Sequence, residues 1–214
     1  GGYYFTYSET KPIKFNPFYI GEGDILDTEK KESIKTLLLA LWKKDNETFN
    51  RSEYVALSNA LQLYFEKVEN DNELFPCFDS FYEFLKEDFV NVLKGDNVKD
   101  KDFDVSNFLY VLRPYYKGGE FDYLLNAKEN LDLLQQRFIV FELDNIKDHP
   151  ILFPVVTIII MEVFISKMRK LKGIRKMILI EEAWKAIAKE GMAEYIKYLF
   201  KTVRKFFGEA IVVT

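Results

Sequence analysis

The sequence contains a single cysteine, Cys77, and a single histidine, His149, in 214 residues. One cysteine cannot form a disulfide within the chain, and its scarcity fits a reducing compartment. Zinc sites and Cys–His catalysis each need several such side chains. Neither kind of chemistry therefore has its components here.

Two sequence patterns are also missing. Gly-Lys occurs nowhere, so the loop G-x-x-x-x-G-K-[S/T], which holds nucleotide phosphates, is absent. No secretory signal or membrane span is found either. The nearest candidate, residues 151–161, has 11 residues and includes Pro154 and Thr157, whereas a spanning helix needs about 20. We therefore predict a buried helix there.

An excess of positive charge is lacking as well. The net charge is −4 and the isoelectric point about 5.3, so no global basic field attracts nucleic acid. Hydrophobic residues make up 48% of the chain, including 20 Phe and 13 Tyr, which is enough to form a core. The length predicts one large domain or one domain with an insertion.

What the sequence does contain is a short apolar run that ends in two adjacent carboxylates, Glu181 and Glu182. Residues 177–180 are all large and apolar, which is typical of a strand covered on both faces of a parallel sheet. Acids at the carboxyl end of such a strand lie where open α/β sheets bind ligands. A buried strand followed by a solvated acidic turn fits the same residues, so both interpretations stay open.

The wider pattern resembles a known family. Residues 180–184, Ile-Glu-Glu-Ala-Trp, look like the Asp-Glu-Ala-Trp Walker B signature of conjugation and type IV secretion ATPases. Within that superfamily the chain most resembles the TraG-type conjugation ATPases. Supporting matches, in the family's order, are Phe-Asn-Pro-Phe at 15–18, Phe-Ile-Val-Phe-Glu-Leu at 138–143 and Thr-Val-Arg-Lys at 202–205. Glu181 replaces the family's usual Asp, and its longer side chain can still reach a metal ion.

This resemblance implies an ATPase with ATP and Mg²⁺ as cofactors, and it implies roles for three residues. Glu182 would be the general base that polarises water, and Glu181 the acid on the magnesium side of the nucleotide site. Arg204 would be a charge-stabilising or relay residue near a subunit boundary, although an ordinary surface salt bridge also accounts for it. The phosphate-binding loop would lie upstream of residue 1. The 214 residues alone should then bind ATP poorly and hardly hydrolyse it.

Apolar periodicity predicts the organisation of the chain. Residues 45–119 read as helices only, whereas residues 138–143, 177–180 and 210–213 read as strands that alternate with helices. We expect these strands to lie side by side and parallel, joined by right-handed crossovers. The predicted fold is an α/β RecA-like P-loop NTPase core, residues 1–44 and 120–214, with an inserted all-helical subdomain, residues 45–119. Strand-like residues at both ends predict a piece of a larger protein.

Local signals add three expectations about individual residues. Asp27 or Thr28 should begin a helix, because both are good N-caps. Asn50 followed by Glu53 resembles a capping box at the start of the next helix. Trp184 should pack against the domain and hold the turn that carries the two acids.

Three functions remain open from the sequence. The first is an ATPase that energises conjugative transfer or type IV secretion, and the second is a DNA translocase of the same fold. The third is a non-enzymatic scaffold or docking domain in which the acids are incidental. The resemblance implies other subunits of a conjugation or secretion complex as partners, a homo-oligomer (a hexamer) when full length, and a cytoplasmic position peripheral to the inner membrane. Direct contact with DNA is left open.

Overall fold

The computed structural model of the chain describes residues 2–22, 24–43, 47–188 and 192–213. The chain divides into two compact units. The strand unit comprises Gly1–Ile13, Lys43–Glu47 and Leu131–Thr214, and the helical unit comprises Lys14–Trp42 and Thr48–Asn130. These limits differ from the predicted domain limits at 44/45 and 119/120, because residues 14–42 and 120–130 group with the helical unit. The assignment of residues 1–44 and 120–214 to one functional domain stays a prediction.

Strands and helices follow one another along the chain with several short helical turns between them. In order they are β1 (Gly2–Thr6), α1 (Thr28–Trp42), α2 (Arg51–Asn70), α3 (Phe78–Phe84), a π-helical turn (Leu85–Phe89), α4 (Val90–Gly95), α5 (Val105–Leu112), a 3₁₀ turn (Arg113–Tyr115), β2 (Phe138–Glu142), a 3₁₀ turn (Asp144–Ile146), α6 (Leu152–Lys170), β3 (Lys176–Ile180), α7 (Ala183–Ile187), α8 (Met192–Val203), a 3₁₀ turn (Arg204–Phe206) and β4 (Gly208–Val212).

The strands of the strand unit form two parallel pairs. β1 pairs with β2 from Gly2 opposite Phe138, and β3 pairs with β4 from Lys176 opposite Gly208. The predicted parallel pairing of the last two strands is therefore confirmed. The prediction that all three strands lie side by side is wrong for the described residues, since β2 hydrogen-bonds to β1 instead of β3. The ring of Phe141 in β2 lies 5.9 Å from that of Phe5 in β1, so aromatic packing favours this pairing.

Helices α6 and α8 cover one face of the β3–β4 pair. A Cβ atom at Gly208 would lie 2.7 Å from Met168 Sδ in α6 and 3.0 Å from the Val203 carbonyl oxygen in α8. A larger residue there would displace the Met168 side chain and press on the Val203 carbonyl, so the position favours glycine. Between the helices, the buried Tyr195 hydroxyl and the Glu162 carboxylate are hydrogen-bonded.

The opposite face of β3 is open. Met177 and Leu179 are 56% and 52% exposed, so the expectation that this strand is covered on both faces is wrong within the described residues. The apolar run correctly indicated a strand. It could not indicate how many layers the chain itself supplies.

Aromatic rings fill the interior of the helical unit. The fully buried ring of Phe18 lies 4.9 Å from Phe81 and 5.5 Å from Tyr64, measured between centroids. Aromatic pairs of this kind contribute about 0.5–1.5 kcal/mol beyond the area that they bury. Residues 47–119, the described part of the predicted insertion, contain helices and turns but no strand, as predicted.

The nearest candidate for a membrane span in the sequence, residues 151–161, forms the first part of α6 and the residue before it. Among the residues that the structure describes, no helix combines the length and the apolar character needed to cross a membrane.

Candidate active site

The two acids follow β3 directly, in a turn that β4 helps to close. Val213 N–H donates to the Ile180 carbonyl at 2.9 Å, and Ala183 N–H donates to the Val213 carbonyl at 3.0 Å. These bonds hold the end of β4 against the start of the turn. Glu181 and Glu182 are both exposed. The two carboxylates therefore face solvent at the carboxyl edge of a parallel pair, where open α/β sheets bind ligands.

Glu182 has an unusual backbone conformation for a residue with a side chain. Its φ is 51°, in the left-handed region, which non-glycine residues adopt rarely. The Lys185 N–H donates to the Glu182 carbonyl at 2.9 Å, and the Lys185 ammonium forms an ion pair with the Glu182 carboxylate. Such outliers cluster at functional sites, where the surrounding structure maintains them.

A second charged turn follows β2 and is electrostatically coupled to the first. Lys147 forms a 2.9 Å ion pair with Asp144, which lowers the pKa of the Asp144 carboxyl, and the charge of Lys185 lowers it further. The pKa of Lys147 is raised, chiefly by Asp144 and to a smaller extent by Asp148 and Glu182. Asp144 and Lys147 thus form an ion pair in the turn after β2 and feel the charges of Lys185 and Glu182.

The end of β1 lies beside the turn that follows β2. The Asn145 side-chain amide donates to the Tyr7 carbonyl at 2.9 Å, one residue after β1, and the Asp144 N–H donates to the Glu142 carboxylate at 3.0 Å. Sequence reasoning did not single out Asp144, Lys147 or Lys185. The signal that could have identified Asp144 and Lys147 is their position in a charged segment directly after the strand at 138–142. The two acids after β3 occupy the same kind of position.

The donor set suits magnesium only in part. Magnesium in nucleotide enzymes is held by one or two carboxylates together with substrate phosphates and water. Within the described residues, no cluster of three or more His, Cys, Asp or Glu side chains has the geometry to hold a metal ion. Glu181 and Glu182 therefore fit a magnesium ion that arrives with a nucleotide, and they do not fit a resident all-protein metal site.

Arg204 lies at the other end of the strands. It begins the 3₁₀ turn that precedes β4, so it sits at the amino edge of the pair, while Glu182 sits at the carboxyl edge. A strand of five residues spans about 13 Å from first to last Cα. Within one chain the structure does not bring Arg204 and Glu182 together.

Trp184 does not pack as predicted. Its side chain is 54% exposed, and the Lys185 ammonium lies 5.5 Å from its ring. The turn is anchored by the preceding residue instead, because Ala183 is completely buried and its N–H bonds to the end of β4. The small Ala183 side chain is buried, and the large Trp184 ring is exposed to solvent.

A family model for the TraG P-loop domain matches residues 1–214. The chain belongs to this family. The predicted resemblance and the α/β P-loop NTPase fold class are confirmed, although the TraG P-loop domain described here contains no phosphate-binding loop in its sequence. No curated protein matches the sequence.

Solved structures share the fold of this TraG P-loop domain. VirB4 of Thermoanaerobacter pseudethanolicus superposes with a TM-score of 0.61 at 16% identity, covering 100% of this chain and 57% of VirB4. The bacterial conjugative coupling protein TrwBdeltaN70, in complex with sulphate, gives 0.57 at 10% identity and coverages of 100% and 51%. The plasmid coupling protein TrwB in complex with the ATP analogue ADPNP gives 0.55 at 9% identity and coverages of 98% and 52%. The chain thus spans little more than half of each solved structure.

Proposed function

We propose that this chain is part of an ATPase that energises conjugative transfer or type IV secretion, with Glu182 as its general base. The observation that carries the proposal is the pair of exposed acids at the carboxyl edge of a parallel strand pair in a TraG P-loop domain. The left-handed backbone of Glu182 supports it, because strained residues concentrate at active sites. A positioned base near the cleft accelerates proton transfer by about 10²–10⁴-fold.

Glu181 is proposed as the acid on the magnesium side of ATP, through its carboxylate oxygens. The metal ion supplies charge neutralisation at the nucleotide phosphates when it is bound. The Walker B role of residues 180–184 is part of the same proposal. Because the 214 residues contain no G-x-x-x-x-G-K-[S/T] loop, we propose that another part of the protein supplies it, and the chain by itself is expected to be nearly inactive.

Arg204 is proposed to act across a subunit boundary. It lies at the edge opposite Glu182 of its own chain, which supports a contact with the nucleotide site of a neighbouring copy. A homo-oligomer, a hexamer in the family's pattern, provides such a neighbour. The proposed partners are other subunits of the conjugation or secretion complex, and the proposed location is cytoplasmic, peripheral to the inner membrane.

One observation favours a DNA translocase as the second candidate. Two stretches, residues 163–180 and 195–208, contain lysines and arginines but no acid. The β3–β4 pairing brings their ends together, since Lys176 N–H donates to the Phe207 carbonyl at 3.1 Å. Exposed cations in these stretches, such as Lys172 and Lys205, suit a phosphate backbone, whereas Lys176 is buried. Stimulation of ATP turnover by double-stranded DNA would favour this candidate over protein transport or assembly.

The test is ATP turnover and ATP affinity measured together on the full-length protein. Glu182→Gln keeps the shape of the side chain and removes the base, so we expect turnover to fall by about 10²–10⁴-fold while ATP still binds. Glu73→Gln, an exposed acid in the helical unit, is the matched control and should leave both unchanged. Unchanged turnover in Glu182→Gln would contradict the assigned role of Glu182, and absence of turnover in the unsubstituted full-length protein would favour a scaffold.

A further inference from the structure

The turn that carries the two acids also contains a lysine to which the proposed function assigns no role. Lys185 lies in α7, three residues after Glu182, and its ammonium forms an ion pair with Oε2 of the Glu182 carboxylate. An isolated ion pair at a protein surface usually has little effect, because both side chains move freely and water screens their charges. The surroundings of Lys185 differ from that general case.

The backbone of Lys185 is fixed to the strands through the start of α7. Ala183, the first residue of α7, is completely buried and donates its N–H to the Val213 carbonyl at 3.0 Å. The Lys185 N–H donates to the Glu182 carbonyl at 2.9 Å. The start of α7 therefore fixes the position of the Lys185 backbone relative to that of Glu182.

The side chain of Lys185 is restrained as well. It is 30% exposed, whereas the Glu182 side chain is 62% exposed. The ammonium lies 5.5 Å from the centroid of the Trp184 ring, and the face of an indole ring attracts a cation. The charge of Lys185 also lowers the pKa of the Asp144 carboxyl, in the turn after β2. Two groups besides Glu182 thus attract this ammonium, which restricts its movement.

The Glu182 carboxylate needs a contact of this kind to keep one orientation. The backbone of Glu182 has a φ of 51°, but the side chain contains several rotatable bonds, so the backbone alone does not fix the position of the carboxylate. The ion pair restrains the end of the side chain. Because it involves Oε2, Oε1 is left to polarise water within the described part of the chain.

We infer that Lys185 is the positioning residue for Glu182, and that the Trp184 ring is the platform that keeps the Lys185 side chain in place. The ion pair orients the carboxylate at the carboxyl edge of β3, so that its second oxygen faces the reacting water. This assignment gives a role to the exposed Trp184 ring, which does not pack against the domain. It rests on the proposed ATPase function, in which Glu182 is the general base.

A double-mutant cycle on the full-length protein tests this inference. Lys185→Met keeps the apolar part of the side chain and removes its charge. We expect kcat for ATP hydrolysis to fall by about 10–100-fold with KM and ATP affinity unchanged, because a small misplacement of a catalytic group has an effect of that order. In Glu182→Gln the same substitution should cause no further fall, since no base is left to position. Single-turnover hydrolysis of radiolabelled ATP measures these slow rates.

Further variants separate charge and platform from general damage. Lys185→Arg restores a cation and should recover most of the lost turnover. Trp184→Phe keeps an aromatic ring and should be more active than Trp184→Ala. Lys67→Met breaks an exposed ion pair with Asp88 in the helical unit, so it is the matched control and should leave kcat unchanged.

Four results would overturn the inference. Unchanged kcat in Lys185→Met would exclude a positioning role, and an equal fall with and without the Glu182→Gln substitution would indicate structural damage instead. Loss of ATP affinity would indicate that Lys185 contacts the nucleotide. A rise in kcat would indicate that Lys185 restrains the base. Equal activities of Trp184→Phe and Trp184→Ala would contradict the platform.

The two proposals fail in different ways. Unchanged turnover in Glu182→Gln contradicts the catalytic role of Glu182 itself. A large fall in Glu182→Gln together with unchanged kcat in Lys185→Met leaves that role intact and contradicts only the positioning role of Lys185.

Discussion

Glu182 combines a predictable chemical identity with a backbone conformation that the sequence does not indicate. Nothing in Ile-Glu-Glu-Ala-Trp predicts a φ of 51° at the second acid, because nearly all residues with a Cβ avoid this region at a cost of about 1–2 kcal/mol. The next residue, Ala183, donates its N–H to the Val213 carbonyl just after β4, so a contact with a distant strand helps to hold the turn that contains this conformation.

Tyr116 and Glu83 provide a prediction about the pH dependence of stability. The Tyr116 hydroxyl donates to the Glu83 carboxylate at 2.7 Å, which raises the pKa of Tyr116 to about 12 and lowers that of Glu83. The phenol therefore stabilises the fold fully below its unfolded pKa of about 10, and this contribution is lost as the pH rises to about 12. The carboxylate's contribution is present above its unfolded pKa and is lost as the pH falls.

Tyr116→Phe should therefore reduce stability near pH 7 by about 1 kcal/mol, since the pair is partly solvated. It should also make stability less dependent on pH between about 10 and 12. Urea unfolding across this range measures both effects. Tyr110→Phe, at an exposed position on α5, is the control and should keep the wild-type slope. An unchanged slope in Tyr116→Phe would contradict the assignment.

At the scale of single elements, the helices of the helical unit follow their local signals. Asp27 caps α1, its carboxylate accepting the Lys30 N–H at 2.8 Å, as predicted. Asn50 caps α2 by accepting the Glu53 N–H at 2.8 Å. The reciprocal contact differs from a full capping box, because the Asn50 side-chain amide, and not its backbone N–H, reaches the Glu53 carboxylate at 3.0 Å.

Replacement of this cap tests how much α2 depends on it. Asn50→Ala leaves an amide at the start of a 20-residue helix without its acceptor, so we expect a loss of about 0.5–2 kcal/mol. Asn50→Asp retains an acceptor oxygen and should stay within about 0.5 kcal/mol of the original. Thermal and urea unfolding of the three proteins measure the difference. Equal losses in both variants would show that the cap is not the cause.

The strands depend on longer-range contacts than the helices do. The strand-like residues at the start of the chain form β1, but their partner, β2, lies more than 130 residues away in the chain. The apolar periodicity of a strand indicates which of its faces is buried, but it does not indicate which other strand pairs with it. The same reason accounts for the wrong arrangement of the three later strands.

At the scale of the whole molecule, Asn16 connects distant segments of the helical unit by hydrogen bonds. Its backbone N–H donates to the Asn130 side chain at 2.7 Å, and its own side-chain amide donates to the carbonyls of Pro76 and Ala127 at 2.8 and 3.0 Å. Asn16 is completely buried. Asn16 thus joins the beginning, the middle and the end of the helical unit.

Asn16→Ala should destabilise the helical unit by at least about 2 kcal/mol, because it leaves buried carbonyl groups and the Phe18 N–H without partners. Asn130→Ala removes only the contacts to the Asn16 backbone and should cost about 1 kcal/mol. Urea unfolding followed by the far-ultraviolet signal of the helices measures both. If Asn130→Ala is at least as damaging as Asn16→Ala, the proposed role of the Asn16 side chain is wrong.

The sequence by itself determined the α/β class, the helical character of residues 47–119, the strand before the two acids and the family. These features depend on the order and spacing of residues over short distances, where hydrophobic period and capping chemistry act. Only the tertiary structure decided that β1 pairs with β2, that Ala183 and not Trp184 anchors the turn, that Lys185 pairs with Glu182, and that Arg204 lies at the opposite edge. Most of these features depend on contacts between residues distant in the chain or on which side chain fits the available space, and neither is encoded in a local pattern.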